Sequence, residues 1–259
     1  MTEIVYSETV DWDAHWQDYD TAARSNPAQI YRHETVLRLL ANLPSHTLTR
    51  LLDIGSGQGD FLVKAAAQFP GVELGGLELA ESGVRISKQK VPDAKIAVGD
   101  LFQPSPDLAA FHGWGTRAVC CEVLEHVDDP TAFLQAARVY LAADADLIVT
   151  VPGGPMSTFD RHIGHRQHFT RASITRVLED AGFEVRRVCL AGFPFFNLYR
   201  LTVIARGARL IEDVRAGQSG SPSRLALGVM AVYRALFSLN FLDSALGWQV
   251  VAVARNRRA

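Results

Sequence analysis

Two short clusters hold residues that can move protons or bind a metal ion. Glu122-x-x-Glu125-His126 sets two carboxylates and an imidazole at i, i+3 and i+4, a spacing that gathers them on one face of a helical turn. Asp160-Arg161-His162-Ile163-Gly164-His165-Arg166-Gln167-His168 adds three more imidazoles. An imidazole with a pKa of about 6.5 suits proton removal from a phenol or an activated carbon. His126 and His165 are therefore candidate bases with Glu122 beside them, and His162 is a candidate acceptor contact.

A third cluster is built to bind. In Leu51-Leu52-Asp53-Ile54-Gly55-Ser56-Gly57-Gln58-Gly59-Asp60-Phe61 the glycines follow an apolar run, where they permit positive φ and let a ligand approach the backbone. Asp53 stands just before them. A carboxylate there suits a cationic amine and repels a pyrophosphate, which argues against a nicotinamide dinucleotide. Glu78 can accept from two ribose hydroxyls, and Asp100 can meet an adenine amino group.

These residues need a scaffold that brings them to one edge. Apolar runs over 49–54, 72–78, 94–99, 116–121 and 145–151 read as strands, and 61–69, 81–90 and 131–141 read as helices between them. Such alternation specifies a mostly parallel sheet, because a right-handed crossover returns the chain in the same direction. A helix over 171–181, closed by Gly182, leads to a sixth strand over 184–190, and 248–254 reads as the last strand. The loop after the fifth strand and the turn after the fourth both lie at the carboxyl end of the sheet, so the two catalytic clusters can meet.

The whole pattern resembles the class I S-adenosylmethionine-dependent methyltransferases, through Asp53 to Gly59, the acidic strand end at Glu78, Gly99-Asp100-Leu101, and Cys121-Glu122-Val123-Leu124-Glu125-His126-Val127. The resemblance covers 48–192 and the last strand. It implies an α/β, Rossmann-like, seven-stranded sheet, mostly parallel with an antiparallel last strand, an N-terminal helical cap over 1–47 and a helical insertion over 193–242. The core is then 48–192 plus 243–259. S-adenosylmethionine is the implied cofactor, held by Asp53, Gly55, Ser56, Gly57 and Gly59 at the methionine portion, by Glu78 and Leu79 at the ribose, by Asp100 and Leu101 at the adenine, with Cys121 alongside. Arg32 in the cap can pair with the cofactor's carboxylate, and Trp12, Trp16, Tyr19 and Tyr31 can cover its sulfonium.

The Glu-Val-Leu-Glu-His stretch is similar to that of the ubiquinone-biosynthesis O-methyltransferases. With His165 it is also similar to the metal site of small-RNA 2′-O-methyltransferases, which implies Mg²⁺, Mn²⁺ or Zn²⁺ on Glu122, Glu125, His126 and His165. Phe196 and Tyr199, in the aromatic run at 193–200, are candidate walls for an aromatic or apolar small-molecule substrate, with a homodimer interface as the competing use of that segment. The competing functions are a metal-dependent RNA methyltransferase and a non-catalytic cofactor-fold interaction protein.

Composition narrows the field. At 259 residues, 48% hydrophobic and 21% charged, the chain can build one large core with appendages. Lys plus Arg number 26 against 28 Asp plus Glu, without the basic surplus that phosphate-backbone binding leaves. No DNA partner is expected and an RNA partner is disfavoured. Three cysteines give no disulfide framework, and Arg234 interrupts the longest apolar run, 225–242, so the expectation is a cytoplasmic protein without a membrane span.

Overall fold

A computed structural model describes residues 12–13, 26–43, 48–103, 105–215 and 224–257. The strands are β1 (Arg50–Ile54), β2 (Glu73–Glu78), β3 (Lys95–Val98), β4 (Gly115–Cys121), β5 (Leu141–Pro152), β6 (Glu184–Ala191) and β7 (Gln249–Arg255). They form one sheet in the order β3-β2-β1-β4-β5-β7-β6. β1 to β5 pair in parallel, and β7 runs antiparallel to both β5 and β6. The seven-stranded sheet with its antiparallel last strand is the expected one.

Side-chain alternation along the central strands separates two apolar layers. Leu52, Cys120, Leu147 and Val149 face one core, shared with Phe133 and Leu134 of α5 (Pro130–Ala137) and Ile174 and Leu178 of α7 (Arg171–Asp180). Leu51, Val119, Ile148 and Val251 face the other, closed by α1 (Pro27–Asn42), α2 (Asp60–Gln68) and α3 (Glu81–Lys90). Parallel strands buried on both faces account for the near-continuous apolar runs in the sequence.

Two helices escape sequence reading because they are about one turn long, too short to show a period: α4 (Pro106–Ala109) and α6 (Thr158–His162). The expected helix over 131–141 ends early. After α5 comes a 3-10 turn, and β5 starts at Leu141, where Leu141 pairs with Gly115 and Asp146 with Arg117 across a bulge. Between β6 and β7 lie α8 (Phe195–Arg215) and α9 (Arg224–Phe237), the expected insertion. Phe237 of α9 packs on Tyr31 of α1 and Phe196 of α8, while Val229 and Val232 stay exposed. Among the described residues no helix is long and apolar enough to cross a membrane.

Candidate active site

β1 and β4 are neighbours whose connections leave in opposite directions along the sheet, which opens a crevice beyond their carboxyl ends. A cavity of about 540 Å³ occupies it, within the roughly 300–1,000 Å³ usual for ligand sites. Gly55, the first residue after β1, has φ +75°, and a Cβ there would sit 2.5 Å from Val123 Cγ2. Only glycine fits both the backbone and the space. Gly59 caps α2 at φ +76° against the Ser87 side chain.

Two polar atoms on this side are buried without a hydrogen-bond partner among the described residues. Asp53 is buried and its Oδ2 has no hydrogen-bond partner, and the same is true of Ser56 Oγ. Burial, with the Glu78 charge adding to it, pushes the Asp53 carboxyl up to about 8. An arriving cation would restore its charge. Glu78 Oε2 accepts from the Gly57 N–H at 2.7 Å and Oε1 from the Ala80 N–H at 3.0 Å, which fixes the carboxylate at the end of β2.

Arg32, Gly57, Leu79, Leu101 and Cys121 line the cavity. Asp100 does not. Its carboxylate accepts from the Phe102 N–H and the Gln103 amide within its own turn, leaving Leu101 to face the cavity.

The two clusters of carboxylates and imidazoles do meet. The Arg166 N–H donates to the Glu125 carbonyl at 2.8 Å, and Gln167 Nε2 donates to the Val127 carbonyl at 3.4 Å, stitching the loop after β5 onto the turn after β4. Trp12, His126 and His165 follow one another edge to face, with ring centroids 4.9 and 4.8 Å apart. Ligand atoms of Glu125, His126 and His165 lie within 4.8 Å of one another. Glu125 is fully buried, neither oxygen has a hydrogen-bond partner, and burial with the nearby Glu122 raises its pKa well above the usual carboxylate range.

Glu122 corrects the sequence reading. The helical turn is a 3-10 turn spanning only Leu124–His126, and Glu122 precedes it at φ +56°, outside helical geometry. Its Oε1 accepts from Thr150 Oγ1 at 3.0 Å and from Gln249 Nε2 at 2.8 Å, and its Oε2 faces Arg32 Nε at 3.5 Å. It is a brace among β4, β5, β7 and α1, and it is absent from the group that could share an ion. His162, the expected acceptor contact, lies exposed on α6 and off the cavity lining. Phe196 and Tyr199 do line the cavity, while Trp16 and Tyr19 lie outside the described residues.

Sequence reasoning missed several groups. Thr150 and Gln249 are buried polar residues inside apolar strand runs, which was the available signal. His33 also lines the cavity, held at a pKa of about 3 by burial and then by Lys64 and Arg32, and nothing in its sequence neighbourhood marks it. Asp160 and Arg200, forty residues apart, form a buried ion pair at 2.8 Å. Its partner could not be read from spacing, although the Ser157-x-x-Asp160 capping box could.

Comparison with known proteins identifies the domain and the fold. Residues 24–188 match the family model described as a methyltransferase domain. A ubiquinone biosynthesis O-methyltransferase of Xanthomonas axonopodis pv. citri is 32% identical over 102 residues, 39% of this chain and 42% of that protein. The corresponding enzyme of Xanthomonas euvesicatoria pv. vesicatoria is 29% identical over 140 residues, 54% of each. The match thus spans about half or less of the length of these relatives. Among solved structures, a Haloferax volcanii methyltransferase in complex with the activator Trm112 superposes at TM-score 0.60, 16% identity, over 96% of this chain and 98% of that one. Geranyl diphosphate methyltransferase in complex with GPP and sinefungin superposes at 0.57, 16% identity, over 88% and 78%. At such identities the likeness is one of fold.

Proposed function

The chain belongs to the methyltransferase-domain family with the class I S-adenosylmethionine-dependent fold, and from that premise we propose that it transfers the methyl group of S-adenosylmethionine to a small aromatic or apolar acceptor. One observation carries the reading: a single cavity joins the acidic, glycine-lined strand ends to an aromatic wall, with two imidazoles between them. The buried Asp53 carboxyl with an unpartnered oxygen, and a glycine turn that a Cβ would fill, fit the amino-acid portion of that cofactor.

When bound, S-adenosylmethionine supplies a methyl group already activated on a sulfonium. Asp53 takes the cationic amine, Glu78 accepts from the ribose, and Leu79 and Leu101 cover apolar faces. Tyr199 holds the acceptor ring in line with Phe196 packed as part of the wall that supports it, and alignment of this kind contributes on the order of 7–11 kcal/mol to an in-line displacement. His165, half-buried on the cavity wall, takes the acceptor's proton. In this division residues 48–192 and 243–259 bind the cofactor, 1–47 cap it, and 193–242 build the acceptor wall.

A second reading keeps the same reaction and adds a divalent cation on Glu125, His126 and His165. It is favoured by the 4.8 Å grouping of their ligand atoms and by a buried carboxylate that no hydrogen bond satisfies. With Glu122 engaged elsewhere, two imidazoles and one carboxylate suit Zn²⁺ better than the oxygen-seeking Mg²⁺. Such an ion would lower the pKa of an acceptor hydroxyl.

Calorimetry against S-adenosylhomocysteine and NAD, followed by incubation of labelled S-adenosylmethionine with a panel of phenols and apolar alcohols, tests the proposal. Selective binding of the first ligand and label recovered in an acceptor support it. NAD binding, or methylation of RNA in preference to every small acceptor, overturns it.

A further inference from the structure

Behind His165 stands a row of groups whose hydrogen bonds can be followed one by one. His168 Nδ1 lies 3.1 Å from the Gly154 carbonyl. A carbonyl only accepts, so this nitrogen carries a proton. His168 Nε2 lies 3.3 Å from His165 Nδ1. One of these two nitrogens donates and the other accepts, and the surroundings of His168 decide which.

Among the described residues Asp160 is the acid within 4 Å of His168, with Oδ2 at 3.8 Å from Nε2, beyond hydrogen-bonding distance. That oxygen is already taken. It accepts from the Ser157 N–H at 2.7 Å, from Ser157 Oγ at 2.8 Å and from Arg200 Nη2 at 2.8 Å, and Oδ1 accepts from the same guanidinium nitrogen at 3.0 Å. Arg200, coming from α8, neutralises the acid that could otherwise draw His168 into its imidazolium form. With that acid neutralised, His168 carries the single proton already placed on Nδ1, so its Nε2 is bare and accepts from Nδ1–H of His165.

We propose that His168 is a positioning residue that fixes His165 as its Nδ1–H tautomer and thereby leaves Nε2 as the one basic nitrogen that the His165 ring offers to the crevice. The proposal rests on reading that crevice as the place of methyl transfer. A proton taken from an acceptor at Nε2 gives an imidazolium whose Nδ1–H stays on His168, so the ring need not turn during the reaction. The same arrangement serves the cation reading, because a metal-bound imidazole is oriented by the hydrogen bond of its other nitrogen. It also explains why the cluster of Asp160, His165 and His168, though within ligand distance, is not read as a second metal site: Arg200 already neutralises its only carboxylate.

The test reads the tautomer directly. Histidine-selective ¹⁵N labelling and long-range ¹H–¹⁵N correlation on the metal-free wild-type protein, with His165 assigned from the His165→Gln spectrum, should show a protonated Nδ1 and a bare Nε2. The opposite pattern overturns the proposal whatever the enzyme's activity. His168→Gln can donate its amide N–H to Gly154 and accept from His165, so it should keep the tautomer and hold kcat within about threefold. His168→Leu removes the acceptor and should mix the tautomers and lower kcat by about tenfold or more, with KM for S-adenosylmethionine unchanged. A leucine variant with wild-type tautomer and kcat overturns the positioning role. If the leucine variant does not fold, the wild-type spectrum and the glutamine variant decide. A protein with the expected tautomer that methylates nothing overturns the reading of the crevice and leaves the positioning inference standing.

Discussion

Gln249 donates its side-chain amide to the Glu122 carboxylate at 2.8 Å, tying the first residue of the antiparallel strand β7 to the residue that follows β4. The bond decides which of the two glutamates in the Glu-x-x-Glu-His stretch is available to chemistry. Glu122 is held by Gln249, Thr150 and Arg32, whereas Glu125 has no hydrogen-bond partner.

Glu122→Gln and Glu125→Gln should therefore differ. The first keeps an oxygen acceptor for Thr150 and Gln249, so methyl transfer and any Zn²⁺ affinity should stay within about threefold of wild type. The second removes the carboxylate that groups with both His126 and His165 and should lower both by about tenfold or more. Equilibrium metal binding and single-turnover methylation measure the pair. Equal losses in both would return Glu122 to the ligand set.

Asp53 gives stability a pH dependence whose sign can be worked out. Its folded pKa is about 8 against 3.8 in an unfolded chain, so the folded state holds the proton more tightly. Below the unfolded value the group contributes no penalty. As pH rises from about 4 towards 8, the unfolded chain ionises freely while the folded one resists, and stability falls. Asp53→Asn abolishes this slope. In the ligand-free protein the melting temperature of the variant relative to wild type should increase between pH 5 and pH 8, by about 3 °C or more. The same substitution should weaken S-adenosylhomocysteine binding by about tenfold, because the carboxylate that meets the amine is gone. Unaltered affinity would detach Asp53 from the cofactor.

Much of this was legible in the sequence because it is local. The glycine turn, the acidic ends of β1 and β2 and the strand-helix alternation are each written within about ten consecutive residues. The Glu122 position was misread because i, i+3, i+4 spacing locates side chains only if the backbone is helical, and Glu122 stands at φ +56°. Nothing in the sequence signalled that the Asp100 carboxylate accepts from its own turn, at the Phe102 N–H and the Gln103 amide. The long-range pairs, Asp160 with Arg200 and Glu122 with Gln249, join residues 40 and 127 positions apart and have no signature in spacing. The strongest hint left in the sequence was the presence of polar residues where strands need apolar ones.

The aromatic wall should divide into a structural half and a binding half. Phe196 is 2% exposed and packs on Tyr31 and Phe237, so Phe196→Ala should cost about 3–5 kcal/mol of stability. Tyr199 is half-buried, lines the cavity and reaches Asn26 Oδ1 at 3.4 Å. Tyr199→Ala should raise KM for the acceptor by about tenfold and change S-adenosylmethionine binding by less than about threefold. Chemical denaturation and steady-state kinetics separate the two. A Tyr199 variant that loses cofactor affinity and keeps acceptor KM would move the acceptor to another wall.

Gly55→Ala combines two penalties that a second substitution can separate. The φ of +75° costs an L-residue about 1–2 kcal/mol, and the new methyl would stand 2.5 Å from Val123 Cγ2. Val123 is the residue between Glu122 and the 3-10 turn that carries Glu125 and His126, so the clash pushes directly on that turn. The single variant should lose cofactor affinity and turnover together, each by at least about tenfold. Adding Val123→Ala removes the collision and leaves the backbone strain. The double variant should therefore recover turnover more than stability. Recovery of neither would mean that strain in the glycine turn alone sets the defect, and full recovery of both would mean that positive φ at this position is not required for function.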